Sequence, residues 1–235
     1  MVLPAKIFEI REEANLGLFL QKLKNFHEEE TYQTAKGENT TLITEILDLT
    51  AKENLIIGTF SADFIQIHHY RRQVIETPVT EEATFWITNY NNRTFLIIVA
   101  PSVARGVKKL LSNHIANKLS KILFITPRII VETKISHETL KTLHESNPQA
   151  TRLIWFDQFD LPGVEKLCLA GSDLADSQLY RDYLTHGQIW YVVFEAQNCG
   201  LTMGITRNSV ITLFSKSTKD ALIEYIRQDI LKLIE

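Results

Sequence analysis

Between Ala83 and Val131 the chain carries no Asp or Glu but seven basic residues: Arg93, Arg105, Lys108, Lys109, Lys118, Lys121 and Arg128. In a chain whose formal net charge is −3, a block of one sign is the strongest chemical signal on offer. A helix reading after Pro101-Ser102 puts Arg105, Lys109 and Ser112 on one face, turned away from Val107, Leu111 and Ile115, with Lys108 beside them. Upstream, His68-His69-Tyr70-Arg71-Arg72 mixes basic and aromatic groups. Cations gathered without intervening acids suit an anion: a phosphate, a nucleic acid or an acidic protein. The candidate anion-binding residues are therefore Arg71, Arg72, Arg93, Arg105, Lys108 and Lys109. The competing expectation is a solvated helix face, neutralised in space by acids from elsewhere.

Other chemistries are less well supplied. His68 and His69 are neighbours, so a strand would point them to opposite faces and away from a shared metal. His137 and His144 share a helix face, but no third ligand arrives at metal spacing. Glu132-Thr-Lys134 has the E-x-K spacing of many metal-dependent nucleases. The acid such a site needs on a preceding strand is missing, because 83–131 has none. Asp157, Asp160, Asp173 and Asp176 form two Asp-x-x-Asp pairs that suit oxygen ligation of Mg²⁺ or, more simply, turn formation. The Gly-rich phosphate and dinucleotide motifs and the nucleophile elbow are all lacking. No catalytic residue, metal ligand or cofactor is assigned on these grounds. A metal-dependent enzyme, weakly nuclease-like and using loop or strand carboxylates, is the alternative to a binding protein.

The hydrophobic fraction of 45% is ample for a core. Two cysteines, Cys168 and Cys199, make no disulfide framework, and the start of the chain lacks a secretory pattern. No apolar run is long enough to span a bilayer, so the expected location is the cytoplasm, away from membrane. With nine Gly and six Pro, the chain has no evident flexible linker.

These side chains must be positioned by strands and helices that the apolar spacing predicts. Leu16, Phe19, Leu20, Leu23 and Phe26 predict a helix over 12–27. The acids Glu28-Glu-Glu30 then fray its end, and 31–40 is a loop. Strands follow over 42–49, 55–60, 64–70, 73–77, 83–88 and 94–100, with a hairpin turn at Ser61-Ala-Asp63 and an interruption at Pro78. Short links between them imply an antiparallel meander. The second half reads as strands at 122–125, 129–134, 152–156, 164–170, 188–196 and 201–206. Helices fall at 137–146 behind a Ser136 cap and within 172–184. Ile189–Phe194 is apolar on both faces, which predicts a central strand with Trp190 buried.

A longer period overlies this. Shifting 94–119 by 115 residues sets Ser209–Ser215 on the strand, Ser217 on Ser102, and Leu222, Ile226, Ile230 and Ile234 on Val107, Leu111, Ile115 and Leu119. The fold class expected is α+β, an antiparallel sheet or sheets with helices mainly on one face. It comprises two related strand–helix units, 1–120 and 121–235, packed as one body. Two such units side by side resemble, in topology only, the saddle of TATA-box-binding proteins. Nothing functional follows from that likeness. The expected function is a non-catalytic binding or regulatory protein that engages an anionic or protein partner through the basic segment 83–131. The partners expected are an unspecified protein first, then nucleic acid, and a homo-oligomer.

Overall fold

The computed structural model describes residues 2–13, 15–52, 54–100, 108–126, 128–146, 149–196 and 200–235, with the side chains of 108–110 outside the description. The chain is α+β and divides into two compact units. One is continuous, Glu9–Val131; the other is split, Met1–Phe8 with Glu132–Glu235. The sequence reading drew its division after residue 120.

The continuous unit is a five-stranded antiparallel meander in sequence order: β2 (His27–Gln33), β3 (Asn39–Lys52), β4 (Leu55–Tyr70), β5 (Gln73–Tyr90) and β6 (Arg93–Val99). Strand β1 (Leu3–Ile10) ends at its start. Helices α1 (Leu16–Leu23) and α2 (Lys108–Leu123) pack against one another and on the meander. Phe19 meets Phe124 edge-on at 5.4 Å, and Lys22 Nζ donates to the Leu123 carbonyl at 2.5 Å. His114 of α2 lies edge-on to Phe60 and Phe64 of β4. Leu111, Ile115 and Leu119 are buried beneath it, as the four-residue spacing predicts.

Three expectations change here. Helix α1 is half the predicted length, because the Asn15 side chain caps it by accepting from Leu18 N–H and Leu23 closes its apolar stripe. Glu28–Glu30 belong to strand β2, the meander's outer strand, exposed along nearly its whole length. Charge on such a strand discourages edge-to-edge pairing, so a run that reads as helix fraying is edge protection. Ser61-Ala-Asp63 is not a turn: β4 runs straight through it and β5 straight through Pro78.

The split unit has the strand order β1-β12-β11-β10-β8-β9, every neighbouring pair antiparallel. Its later strands are β8 (Thr151–Asp157), β9 (Lys166–Ala170), β10 (Gln188–Ala196), β11 (Leu201–Thr206) and β12 (Val210–Leu213). The three residues of β7 (Ile130–Glu132) end at its start. Helices α3 (His137–Glu145), α4 (Gln178–His186) and α5 (Lys219–Tyr225) are capped by the side chains of Ser136, Ser177 and Thr218. Ser217 is therefore not the cap, and Ser102 lies outside the described residues.

Strand β10 explains its own apolar sequence. Ile189 pairs with Phe156 and Tyr191 with Trp155, leaving Trp190 as an extra residue. A bulge of this kind re-aims the side chain that follows it. Ile189, Val192 and Phe194 are buried, while Trp190, Tyr191 and Val193 are half-buried. Trp190 is thus less buried than its composition predicts. Its ring lies beside that of Tyr191 at 5.6 Å and beneath Lys166 Nζ at 5.1 Å.

The last helix is not uniform either. After α5 the backbone widens to π geometry over Ile226–Ile230 and tightens to 3₁₀ over Leu231–Leu233. Four residues of α-helix overshoot a full turn by about 40°, and the wider π turn winds back. Leu222, Ile226, Ile230 and Ile234 thereby all stay buried.

His144 of α3 is fully buried, and neither ring nitrogen has a hydrogen-bond partner. It packs edge-on to Tyr180 at 4.9 Å, whose hydroxyl donates to Glu145 Oε1 at 3.2 Å. Burial holds its pKa below the ordinary value, outweighing the opposing pull of Glu145. An unfolded histidine protonates near pH 6.5, so below that pH the unfolded chain binds the extra proton and stability falls with it. Urea denaturation should show stability falling through His144 as the pH drops below about 6.5, with no such loss above about pH 7. His144→Leu should remove that part of the slope. Parallel pH profiles for the two proteins would show that His144 is not the group responsible.

Candidate binding arm

The meander does not keep five strands along its full length. Pairing of β3 with β4 stops at Thr44 and Ala62, and pairing of β5 with β6 stops at Thr84 and Val99. From Asp63–Thr80 to Tyr70–Gln73 the strands β4 and β5 pair only with each other. Eight residue pairs at roughly 3.3 Å each make a two-stranded arm about 26 Å long.

Two carboxylates hold it. Asp63 sits where β3 leaves β4, accepting from Ile43 N–H at 2.9 Å and from the Thr80 hydroxyl at 2.6 Å. It satisfies the donor that the diverging strand leaves unpaired. Further out, Glu76 accepts from the Tyr32 hydroxyl at 3.1 Å and from Ala35 N–H at 2.8 Å, tying the arm to the end of the β2–β3 hairpin. Sequence reasoning missed both residues. Each acts on a segment distant in sequence, and no local pattern marks it.

At the tip, Tyr70 pairs with Gln73, so Arg71 and Arg72 form a two-residue loop. Their φ angles are 47° and 65°. Two positive φ values in such a loop define a type I′ turn, which strongly favours Asn-Gly. The next hairpin of the meander meets that preference, with Asn91 and Asn92 at φ 47° and 60°. The Arg71-Arg72 turn does not. Arg71 stacks over the Tyr70 ring at 5.4 Å, and neither arginine forms an ion pair among the described residues. Around them Ile67 is 60% exposed, Tyr70 57% and Val74 47%. His68 and His69 are exposed on opposite faces of the arm.

The other sequence candidates do not join this tip. Arg93 stands at the far end of β5, roughly 55 Å away along an extended strand of that length. It donates to Glu9 at 2.6 Å and lies over the Phe95 ring at 5.0 Å. Arg105 and the side chains of Lys108 and Lys109 lie outside the described residues. Lys118 donates to Glu28 at 2.7 Å. Lys121 and Arg128 are exposed. The acid-free block of sequence is therefore partly neutralised by acids of neighbouring elements, at Arg93 and Lys118.

The carboxylates do not converge. Glu132 pairs with Lys6 at 2.7 Å, and Lys134 lies two residues past the end of β7. Asp157 accepts from Arg207 at 2.5 and 2.7 Å. Asp160 meets His186 at 2.9 Å. Among the described residues no group of three or more His, Cys, Asp or Glu could hold a metal ion, and no helix is long and apolar enough to cross a membrane. A cleft of about 960 Å³ opens at the end of the continuous unit opposite the arm, lined by Glu9, Arg11, Glu12, Tyr90 and the Asn91-Asn92 turn. Its Glu9 is committed to Arg93. No family model matches the chain, and no curated protein is similar to it.

Proposed function

We propose that the protein is a non-catalytic binding protein that engages an anionic partner through the tip of the β4–β5 arm, working in the cytoplasm. The observation that carries this reading is the Arg71-Arg72 turn. A left-handed conformation costs a side-chain-bearing residue about 1–2 kcal/mol, and this turn bears that cost twice while exposing two cations. Backbone strain of this kind is kept where a side chain is needed for function. The exposed Lys121 and Arg128 add positive charge from the acid-free segment of the same unit. We also read the strand–helix pairs β6–α2 and β12–α5 as related units of a pseudo-twofold, saddle-like architecture, supported by the buried four-residue spacing that each helix keeps.

The test replaces the tip with the residues its backbone prefers. Arg71→Asn with Arg72→Gly should raise stability by about 1–2 kcal/mol, so lost binding cannot be blamed on unfolding. The probes are a short DNA duplex, a single-stranded oligonucleotide and poly-glutamate, titrated at low and moderate salt. Wild type should bind at low salt and weaken steeply as salt rises. In the variant, affinity should fall and the salt slope against the duplex should shrink by about two. Wild type that binds none of the three at micromolar concentration and low salt overturns the reading.

A further inference from the structure

We infer that the anionic partner of the arm is a second copy of this chain, whose acidic outer strand β2 receives the arginine tip. The inference rests on the arm being an anion-binding element and names what it binds. Three observations lead to it. Of the nine large apolar side chains exposed among the described residues, three (Ile67, Tyr70 and Val74) stand within eight residues at the arm's end. A polyphosphate surface has little use for such side chains, whereas a protein surface buries them. Next, the consecutive acids Glu28, Glu29 and Glu30 lie along β2, the outermost strand of the meander, Glu28 and Glu30 turned to one face and Glu29 to the other. Glu28 and Glu29 touch Lys118 and His27, while Glu30 has no side-chain partner among the described residues. This row is the complement of Arg71-Arg72 and repels nucleic acid approaching the same side.

The third observation is spacing. Through their pairings, Glu28 lies level with Thr44 and so with Ala62, at the base of the arm. The tip lies eight residue pairs further out, roughly 26 Å away. Acid row and basic tip therefore occupy the two ends of one side-by-side pair of hairpins. A twofold axis that runs two such pairs antiparallel brings each tip to the other copy's acids, forming both contacts at once, as an isologous interface requires. Pro78 within the arm and the acids Glu81 and Glu82 at its base on β5 discourage continuous strand pairing there. The contact is thus made by the tip and the faces of the hairpins, not by a shared sheet.

The test is the oligomeric state of the full chain by sedimentation equilibrium across protein and salt concentration. Wild type should be a dimer at low salt that dissociates as salt rises. Arg71→Glu with Arg72→Glu should weaken self-association by at least about tenfold, and Glu29→Lys with Glu30→Lys should do the same. Mixing the two reversed proteins should restore dimer, because both tip–edge contacts are then complementary: the glutamate tip meets the lysine edge and the arginine tip meets the glutamate edge. Circular dichroism spectra matching wild type exclude misfolding as the cause. Wild type that stays monomeric at every concentration overturns the inference, as does a mixture of reversed proteins that fails to associate. If a monomeric wild type still binds poly-glutamate or DNA through Arg71 and Arg72, the second copy is excluded and the anion-binding arm stands. Loss of both self-association and polyanion binding removes the two readings together.

Discussion

Phe85→Ala should be the most damaging single substitution in the continuous unit, costing about 3–5 kcal/mol in urea denaturation. Phe85 is fully buried, and in the β4–β5 register it lies directly opposite Gly58. A Cβ built on Gly58 would come within 2.6 Å of Phe85 Cζ and 3.1 Å of Leu49 Cδ1. The ring covers the strip of backbone that a side chain would otherwise shield, a recognised way to rescue a glycine within a sheet. A double-mutant cycle gives the sharper test. Gly58→Ala should destabilise wild type by about 1–3 kcal/mol through overpacking. Once Phe85→Ala has opened the space, the same change should cost far less. Energies that add within about 0.5 kcal/mol would mean the two residues do not share this contact.

In the split unit, Ile226→Ala should cost about 2–5 kcal/mol, the transfer energy of the deleted atoms plus the cavity left behind. Ile226 is fully buried at the point where α5 gives way to the π turn. Ile226→Val should cost only about 0.5–1.5 kcal/mol. A denaturation midpoint unchanged by the alanine would show that this helix face is not core.

Where apolar spacing was regular, the sequence was a good guide. Leu111, Ile115 and Leu119, like Leu222, Ile226 and Ile230, are buried as their four-residue rhythm predicts. Ser136 caps α3 where expected. The failures have local causes. Glu28–Glu30 read as helix fraying because nothing in these seven residues, six of them exposed, alternates; only pairing with β3 makes them a strand. The strands on either side of Arg71-Arg72 were legible, but their length was not: Ser61-Ala-Asp63 read as a turn and Pro78 as a break, whereas Pro78 is tolerated where β5 has β4 as its only partner. Trp190 misled because a bulge breaks the period of two on which face assignment depends. The candidate site was half legible: Arg71 and Arg72 were singled out by composition. The groups that hold their arm, Asp63 and Glu76, act across pairings no single stretch encodes.

The pairing of β1 with β12 has a consequence for biogenesis. Leu3 to Lys6 find their partners at Leu213 to Val210, near the other end of the chain. A ribosome adding about 5–20 residues per second needs on the order of 10–40 s to cover that gap. During this interval Leu3, Ala5 and Ile7, buried in the finished fold, have no β12 to pair with. The continuous unit, by contrast, emerges entire before most of the split unit has been translated. Nascent chains stalled before residue 210 should therefore display a folded meander and a β1 whose β12 side is still unpaired, an edge open to a holding chaperone until β12 arrives.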